Sequence, residues 1–295
     1  TLENRLAVGG QAEVFRAHDE KNGRVVVKIA LDVAGNERLE REYQAIQDLR
    51  SQHGEEATGW LVRLLDSGKT SEGRFFLVEP EYSCNLKKWL QDRLLKERLY
   101  AAMLACEAVD RLHRGMRGWR EGVVHRDIKP SNLLMEGEGE QLRVLLADFG
   151  AVKRVSMDYT VTGTGIATLG YAPPDQILPL RTEPDRSWDV YALAITVYEC
   201  VVGRIPNGAL VASSLFTREG QSLRALHART GSLTPSEQER YRSLQSRPLA
   251  DLVPLASVEV LETEDRQAFM EEFQKAGITG TSLLQSLEAA LRGDP

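Results

Sequence analysis

Val124-His125-Arg126-Asp127-Ile128-Lys129-Pro130-Ser131-Asn132-Leu133-Leu134 sets a carboxylate, an ammonium and an amide close together, between apolar residues able to anchor the segment to a core. That is the outline of a catalytic loop. Asp, Lys, Pro, Ser and Asn are equally the residues of a solvated turn, so the assignment depends on what surrounds the stretch.

The chain has 295 residues, 42% of them hydrophobic, enough for one large domain or two modest ones with a sizeable core. Lys and Arg total 37 against 43 Asp and Glu, a net charge of −6. No general basic field exists to draw in nucleic acid or an anionic membrane, and an anionic ligand needs a local positive site. The apolar stretches, such as Val190 to Val202, are too short or too interrupted to span a bilayer. The opening Thr1-Leu2-Glu3-Asn4-Arg5 lacks the regions of a secretory signal, so a cytoplasmic location is expected. Cys84, Cys106 and Cys200 are an odd number without metal-type spacing and read as small packing residues rather than a disulfide framework. There is no internal repeat and no low-complexity tail.

Upstream of the loop, Leu6 to Ala17 places Gly9-Gly10 between apolar stretches, and Arg24 to Ala30 follows an Asn22-Gly23 turn signal. Strands joined by tight turns are expected. The glycine pair suits either a backbone that holds phosphate oxygens or a plain hairpin. Lys28 lies in Val25-Val26-Val27-Lys28-Ile29-Ala30, on the face it shares with Val26 and Ala30. It can snorkel to water from an edge or meet a partner. From Gly35 to Ser51, Leu39, Tyr43, Ile46 and Leu49 recur at helical spacing, and Glu42 falls within that apolar stripe. A carboxylate on a buried face needs a cation, and Lys28 is the natural candidate. The apolar runs Leu61 to Leu65 and Phe75 to Val78, separated by the polar turn Ser67 to Gly73, are expected to complete an antiparallel sheet.

Glu79-Pro80-Glu81-Tyr82-Ser83 breaks the strand pattern and reads as a linker between two lobes. Leu86 to His113 follows with the periodicity of two core helices, on which Trp89, Tyr100 and Met103 read as packing residues. Past the opening loop, Asn132 to Met135 and Leu142 to Ala147 form a hairpin with an acidic turn, ending at Asp148-Phe149-Gly150. Asp189 to Val202 reads as a buried helix, residues 207–250 as polar and irregular, and Leu255 to Phe273 and Thr281 to Leu291 as helical.

Together these elements resemble a eukaryotic-type protein kinase domain of the serine/threonine branch. The matches run in that family's order: Val25-Val26-Val27-Lys28 for the lysine strand, Glu42 for its helix partner, and His125-Arg126-Asp127 with Lys129 and Asn132 for the catalytic loop. Asp148-Phe149-Gly150 matches the metal-binding triplet, Pro173-Pro174-Asp175 the Ala-Pro-Glu element, and Asp189-Val190-Tyr191-Ala192-Leu193 the start of a core helix. The resemblance implies a bilobal α+β kinase fold. Its small antiparallel β-sheet N-lobe with one regulatory helix spans 1–79, its hinge 80–85 and its mainly α-helical C-lobe 86–295.

The resemblance further implies an ATP-dependent enzyme with Mg2+, or Mn2+ in its place, acting on protein Ser/Thr hydroxyls. Lys28, held by Glu42, grips the α- and β-phosphates. Asp148 and Asn132 supply oxygens to metal. Asp127 accepts the proton of the acceptor hydroxyl, and Lys129 neutralises charge on the transferred group. ATP is held by the loop Ala7-Val8-Gly9-Gly10-Gln11-Ala12 and by the backbone of Glu79 to Glu81. Val78 serves as gatekeeper, and Val14, Val26 and Leu134 sandwich the adenine. Arg126 resembles the arginine that senses a phosphorylated activation loop, here at Thr160, Thr162 or Thr164, whereas Thr168 belongs to the substrate platform. Those loop threonines read equally as ordinary loop residues.

The chain departs from the family pattern in places. Ala7 and Ala12 stand where the family has its first and third loop glycines. An insertion, Arg114 to Gly122, precedes the catalytic loop, and its Trp119 is either a docking feature or a packing anchor. A pairing of Arg266 with Asp175 would match the family's late arginine. Two rival functions are a pseudokinase that signals by conformation and a small-molecule kinase of related fold. Only the altered glycine loop speaks for the pseudokinase, and the intact Lys28, Glu42, Asp127, Asn132 and Asp148 set speaks against it. The small-molecule kinase is disfavoured by Lys129, Thr168 and Asp175.

Overall fold

Alternation along the first third of the chain becomes a five-stranded antiparallel sheet in the computed structural model. The structure describes residues 1–9, 12–54, 58–114, 123–151, 153–154, 170–177, 185–209, 217–227, 229–247, 249–252 and 260–292. The chain divides into two compact units. One comprises Thr1–Gln91, Met103–His125 and Pro130–Val152, the other Asp92–Ala102, Arg126–Lys129 and Lys153–Pro295.

In the first unit the strands β1 (Leu2–Val8), β2 (Ala12–Asp19), β3 (Gly23–Ala30), β4 (Asp66–Lys69) and β5 (Phe75–Pro80) order as β1-β2-β3-β5-β4. Helix α1 (Val33–His53) starts where the Asp32 carboxylate accepts from Gly35 N at 2.8 Å, satisfying a free helix N–H. Leu39, Ile46 and Leu49 are buried along it. Leu39 packs with Ala30, Phe75 and Leu77 in one apolar cluster, which Tyr43 borders. Cross-strand register decides which side chains face this core. Val14 lies opposite Lys28, Arg16 opposite Val26, Val26 opposite Glu79 and Lys28 opposite Leu77. Directly opposed residues share a face, so Val14, Val26, Lys28, Leu77 and Glu79 point the same way.

The run Leu61 to Leu65 is not a strand of this sheet. Leu61 and Val62 are buried against the distant Leu146, which donates its N–H to Trp60 O at 2.8 Å and accepts from Val62 N at 3.0 Å. The sheet's edge is instead the polar β4, in the stretch that the sequence presents as a turn. A short polar edge strand resists unwanted pairing.

The short β6 (Cys84–Asn85) leads into a single helical turn, α2 (Leu86–Trp89), and the long α3 (Leu95–His113) follows. After the two-residue β7 (Val123–Val124), β8 (Leu133–Glu136) and β9 (Arg143–Leu146) form the expected hairpin, with β6 on the outer side of β8.

The second unit is mainly helical: α4 (Pro174–Ile177), α5 (Arg186–Val202), α6 (Arg218–His227), α7 (Pro235–Gln245), α8 (Leu249–Leu252), α9 (Thr263–Lys275) and α10 (Thr281–Arg292). Helix α5 is capped by the Asp185 carboxylate, which accepts from Ser187 N, and ends at Gly203, whose φ of 84° suits glycine. It is apolar nearly all round and buried, as a central helix should be. Residues 218–252 contain three helices, although the sequence reads as irregular there. Their apolar contribution is small, with Leu223, Leu226, Leu244 and Leu252 joining Ala172, Ile177 and Leu233 in one cluster. Helix α7 instead announces itself by a capping box between Thr234 and Glu237.

At the start of α9 the fully buried Asp265 accepts from Arg204 Nη1 at 2.7 Å, Asn207 N at 3.0 Å, Tyr198 OH at 3.1 Å and Glu262 N at 3.2 Å. That carboxylate fastens the end of α5, the loop after it and α9 together. Arg266 ion-pairs with Glu288 of α10 at 2.7 Å.

Candidate active site

Lys28 owes its position to strand alternation and Glu42 to helical spacing, and the two meet. Lys28 Nζ donates to Glu42 Oε1 at 3.0 Å, and Glu42 is almost completely buried. A second carboxylate, Glu79 at the end of β5, approaches the same ammonium at 2.7 Å and is 3% exposed. Val78, read as gatekeeper, lies opposite Val27 and so faces away from Lys28, whereas Glu79 shares the Lys28 face.

Two buried carboxylates thus share one cation. Burial alone would lower the Lys28 ammonium, but Glu42, Glu79 and Asp148 outweigh it and hold Lys28 well above the ordinary lysine value. Burial pushes Glu42 the other way, up to about 7 against the pull of Lys28, and the Asp148 and Glu79 charges add to the push.

Asp148 follows β9 in the left-handed region, φ 63°. A non-glycine residue rarely adopts that conformation, and it is typical of functional sites. One guanidinium nitrogen of Arg38, on α1 a turn before Glu42, donates to both its carboxylate oxygens, at 2.9 and 3.0 Å. Burial works to raise the Asp148 carboxyl, yet Arg38 and Lys28 hold it below the usual value. Arg38 reaches Asp148 across Gly150, where a Cβ would come within 2.4 Å of Arg38 Cγ. Asn132 is buried in the 3-10 turn Pro130–Asn132, and its carbonyl accepts from Ala147 N at 3.0 Å. His125, fully buried, meets Ala147 O at 3.1 Å and packs edge-on against Phe149, 4.9 Å between centroids. Both ends of the stretch that carries Asp148 are therefore tied down.

Of the remaining candidates in this unit, Val14, Val26, Val78, Glu81 and Leu134 are half-buried. Glu81 is held by Arg16 of β2, whose Nη2 lies 2.6 Å away. Ala7 pairs with Val14 and Val8 with Glu13, and Gly9 N donates to Ala12 O at 2.9 Å. Gly10 and Gln11 lie outside the described residues.

In the second unit Lys129 Nζ donates to both Asp127 oxygens at 2.9 Å. Arg126 just before them is also left-handed, φ 69°. The chain holds that conformation from both sides. Arg126 N donates to the buried Asp189 at 2.7 Å, and Arg126 O accepts from Gln176 Nε2 at 2.6 Å. Its guanidinium carbon lies 5.8 Å from the ring centroid of Trp188. Tyr171 hydrogen-bonds the buried Glu199. Thr160, Thr162, Thr164, Thr168 and Trp119 lie outside the described residues, as does the side chain of Asp175.

Sequence reasoning passed over Glu79 as an ion-pair partner and Arg38 altogether. The signal for Arg38 was its position four residues before Glu42, which puts both on one helix face.

The family model of the protein kinase domain matches residues 1–271. Serine/threonine-protein kinase PknL of Mycobacterium tuberculosis is 33% identical over 214 residues, covering 70% of this chain and 49% of that protein. Serine/threonine-protein kinase A of Synechocystis is 32% identical over 216 residues, covering 70% and 40%. The chain thus spans about half the length of the first curated relatives it matches. Among solved structures, a chain in the CAK complex of Chaetomium thermophilum bound to ATP-gamma-S superposes with a TM-score of 0.56 at 18% identity, covering 99% of this chain and 84% of that one. At that identity the likeness concerns the fold alone, a small antiparallel sheet with one helix and a mainly helical remainder.

Proposed function

We propose that this chain, which belongs to the protein kinase domain family, is a serine/threonine kinase that transfers the γ-phosphate of ATP to hydroxyls of protein substrates. The observation that carries the reading is the buried Lys28–Glu42 ion pair at 3.0 Å. An ammonium held charged in a protected place is what a phosphate-gripping residue needs. The names of the relatives support the serine/threonine assignment.

In this reading the chain binds and positions, and phosphoryl transfer is chiefly positioning and charge stabilisation. Lys28 takes the α- and β-phosphates. Asp127, its carboxylate oriented by Lys129, aligns the acceptor hydroxyl and accepts its proton, a role worth about 10²–10⁴ in rate. The acceptor oxygen bonds to Pγ as the bond from Pγ to the ADP oxygen breaks, and Lys129 offsets the charge on the moving group. Asp148 and Asn132 offer a carboxylate and an amide oxygen, hard donors of the kind a divalent cation accepts alongside phosphate oxygens, so the donor set fits Mg2+, or Mn2+ in its place. When bound, the cation neutralises phosphate charge. The loop from Ala7 to Ala12 covers the phosphates, and Val14, Val26 and Leu134 enclose the adenine.

The N-lobe (1–79), hinge (80–85) and C-lobe (86–295) remain our division of the chain. Thr168 is assigned to the substrate platform and Arg126 to sensing phosphate at Thr160, Thr162 or Thr164. A cytoplasmic setting is part of the same reading. No helix among the described residues is long and apolar enough to cross a membrane.

Incubation with labelled ATP, Mg2+ and a generic protein acceptor tests the reading, with Asp127→Ala as control. Transfer or autophosphorylation that vanishes in the variant is expected. Nucleotide binding without transfer above the variant, on proteins and small molecules alike, sinks the kinase reading in favour of a pseudokinase. Mass spectrometry locates phosphate on the three threonines, and full activity of the triple Ala variant removes their role.

A further inference from the structure

We propose that Arg38 is a positioning residue for the metal-binding carboxylate: it occupies Asp148 until a divalent cation arrives, so metal enters by exchange with a guanidinium rather than by filling an open carboxylate. The inference rests on the kinase reading of Asp148 and adds a residue that the reading does not use.

The geometry is specified from both sides of the contact. On the Asp148 side, the left-handed backbone presents the carboxylate, and Arg38 Nη2 spans its two oxygens at 2.9 and 3.0 Å. On the Arg38 side, Glu42 lies one turn further along α1 and is bound to Lys28 at 3.0 Å, so the helix face that carries both residues is pinned. Between them Gly150 leaves the passage that the arginine stem fills. An added Cβ would stand 2.4 Å from Cγ and 2.7 Å from Nε, so any side chain at 150 must displace Arg38.

The guanidinium and a divalent cation compete for this carboxylate. Arg38 takes a lone pair on each of the carboxylate's two oxygens, and two cations at one carboxylate repel. The pair is accessible enough for exchange, with 21% of the Arg38 side chain and 32% of the Asp148 side chain exposed. A partly exposed ion pair is weak enough to yield. Its cost appears as reduced apparent metal affinity, because only the fraction of molecules with Asp148 released can bind. Arg38 would thereby keep Asp148 from standing as an uncompensated charge beside Glu42 and Glu79 in the metal-free enzyme, the state in which three carboxylates face two cations.

The test titrates Mn2+ into the whole chain, first alone and then with adenylyl imidodiphosphate, and reads free metal by electron paramagnetic resonance. Wild type is compared with Arg38→Gln, Gly150→Ala and Asp148→Asn, each first checked for folding by circular dichroism. Arg38→Gln should bind Mn2+ on the order of 5- to 10-fold more tightly. Gly150→Ala should shift in the same direction, because it keeps the arginine's charge and removes only its seat. Unchanged or weaker binding in Arg38→Gln overturns the proposal. So does a Gly150→Ala affinity equal to wild type, since the effect would then be one of net charge. If Asp148→Asn binds Mn2+ as wild type does, Asp148 is no metal ligand, and the kinase reading of this residue fails together with the inference.

Discussion

Glu79 lies closer to the Lys28 ammonium than Glu42 does, 2.7 Å against 3.0 Å, and both carboxylates are buried. The lysine therefore compensates two charges, and the second of them stands at the end of β5 on the face that the kinase reading assigns to nucleotide. Phosphate brought to Lys28 would have to be accommodated beside Glu79 as well as Glu42.

Lys28→Met would strand both carboxylates. Losing one partner of a buried ion pair typically costs about 3–5 kcal/mol, and a loss of that size is expected in urea denaturation. Adding Glu79→Leu should restore roughly half of it. A Lys28→Met variant as stable as wild type would mean that the two carboxylates find other compensation.

Glu42 sets a pH dependence of known sign. Its carboxyl titrates at about 7 in the folded chain because of burial, against 4.5 as the ordinary value. The folded state then binds the proton more tightly than the unfolded one, so the stability contributed is fully present below about 4.5 and is lost as pH rises through about 7. Wild type should lose stability relative to Glu42→Gln between about pH 5 and pH 8, read as the difference in urea midpoint. In Glu79→Gln the same transition should move to lower pH, since Glu79 is one of the charges that raise Glu42.

Arg126 stores backbone strain that Asp189 helps to hold. Asp189→Ala removes the acceptor from the Arg126 N–H and should cost about 1.5–3 kcal/mol. It should also lower phosphotransfer by more than tenfold as residues 126–129 relax. Arg126→Gly should instead recover about 1 kcal/mol of backbone strain. Thermal denaturation of the two variants separates these effects, and equal shifts of the same sign would contradict them.

Asp265 is the polar centre of the C-terminal helices. With four donors converging on it, Asp265→Ala should cost about 3–5 kcal/mol. Hydrogen exchange should show α9 losing protection before α5. Uniform loss across the unit would mean that this carboxylate fastens no particular element.

The Lys28–Glu42 pair was legible because two periodicities, 2 for the strand and 3.6 for the helix, each put a charge on an inner face, and buried charges require one another. Glu79 escaped because it sits in Glu-Pro-Glu, which looks solvated, and its facing is set by a cross-strand register with Val26 that no pattern within one segment contains. Leu61 and Val62 misled for a related reason. Their apolar character marked burial correctly, but their partner, Leu146, is far away in sequence. The helices between 218 and 252 were missed because they bury few apolar residues, and their signal was a cap, Thr234 with Glu237, rather than a stripe.

Arg38 and Glu42 share one face of one helix, and each holds a different group, Asp148 in one case and Lys28 in the other. Both ion pairs depend on the orientation of that one helix. A twist of α1 by one residue, about 100°, would break both together, so a partner that grips this helix would need no access to nucleotide or metal to silence both.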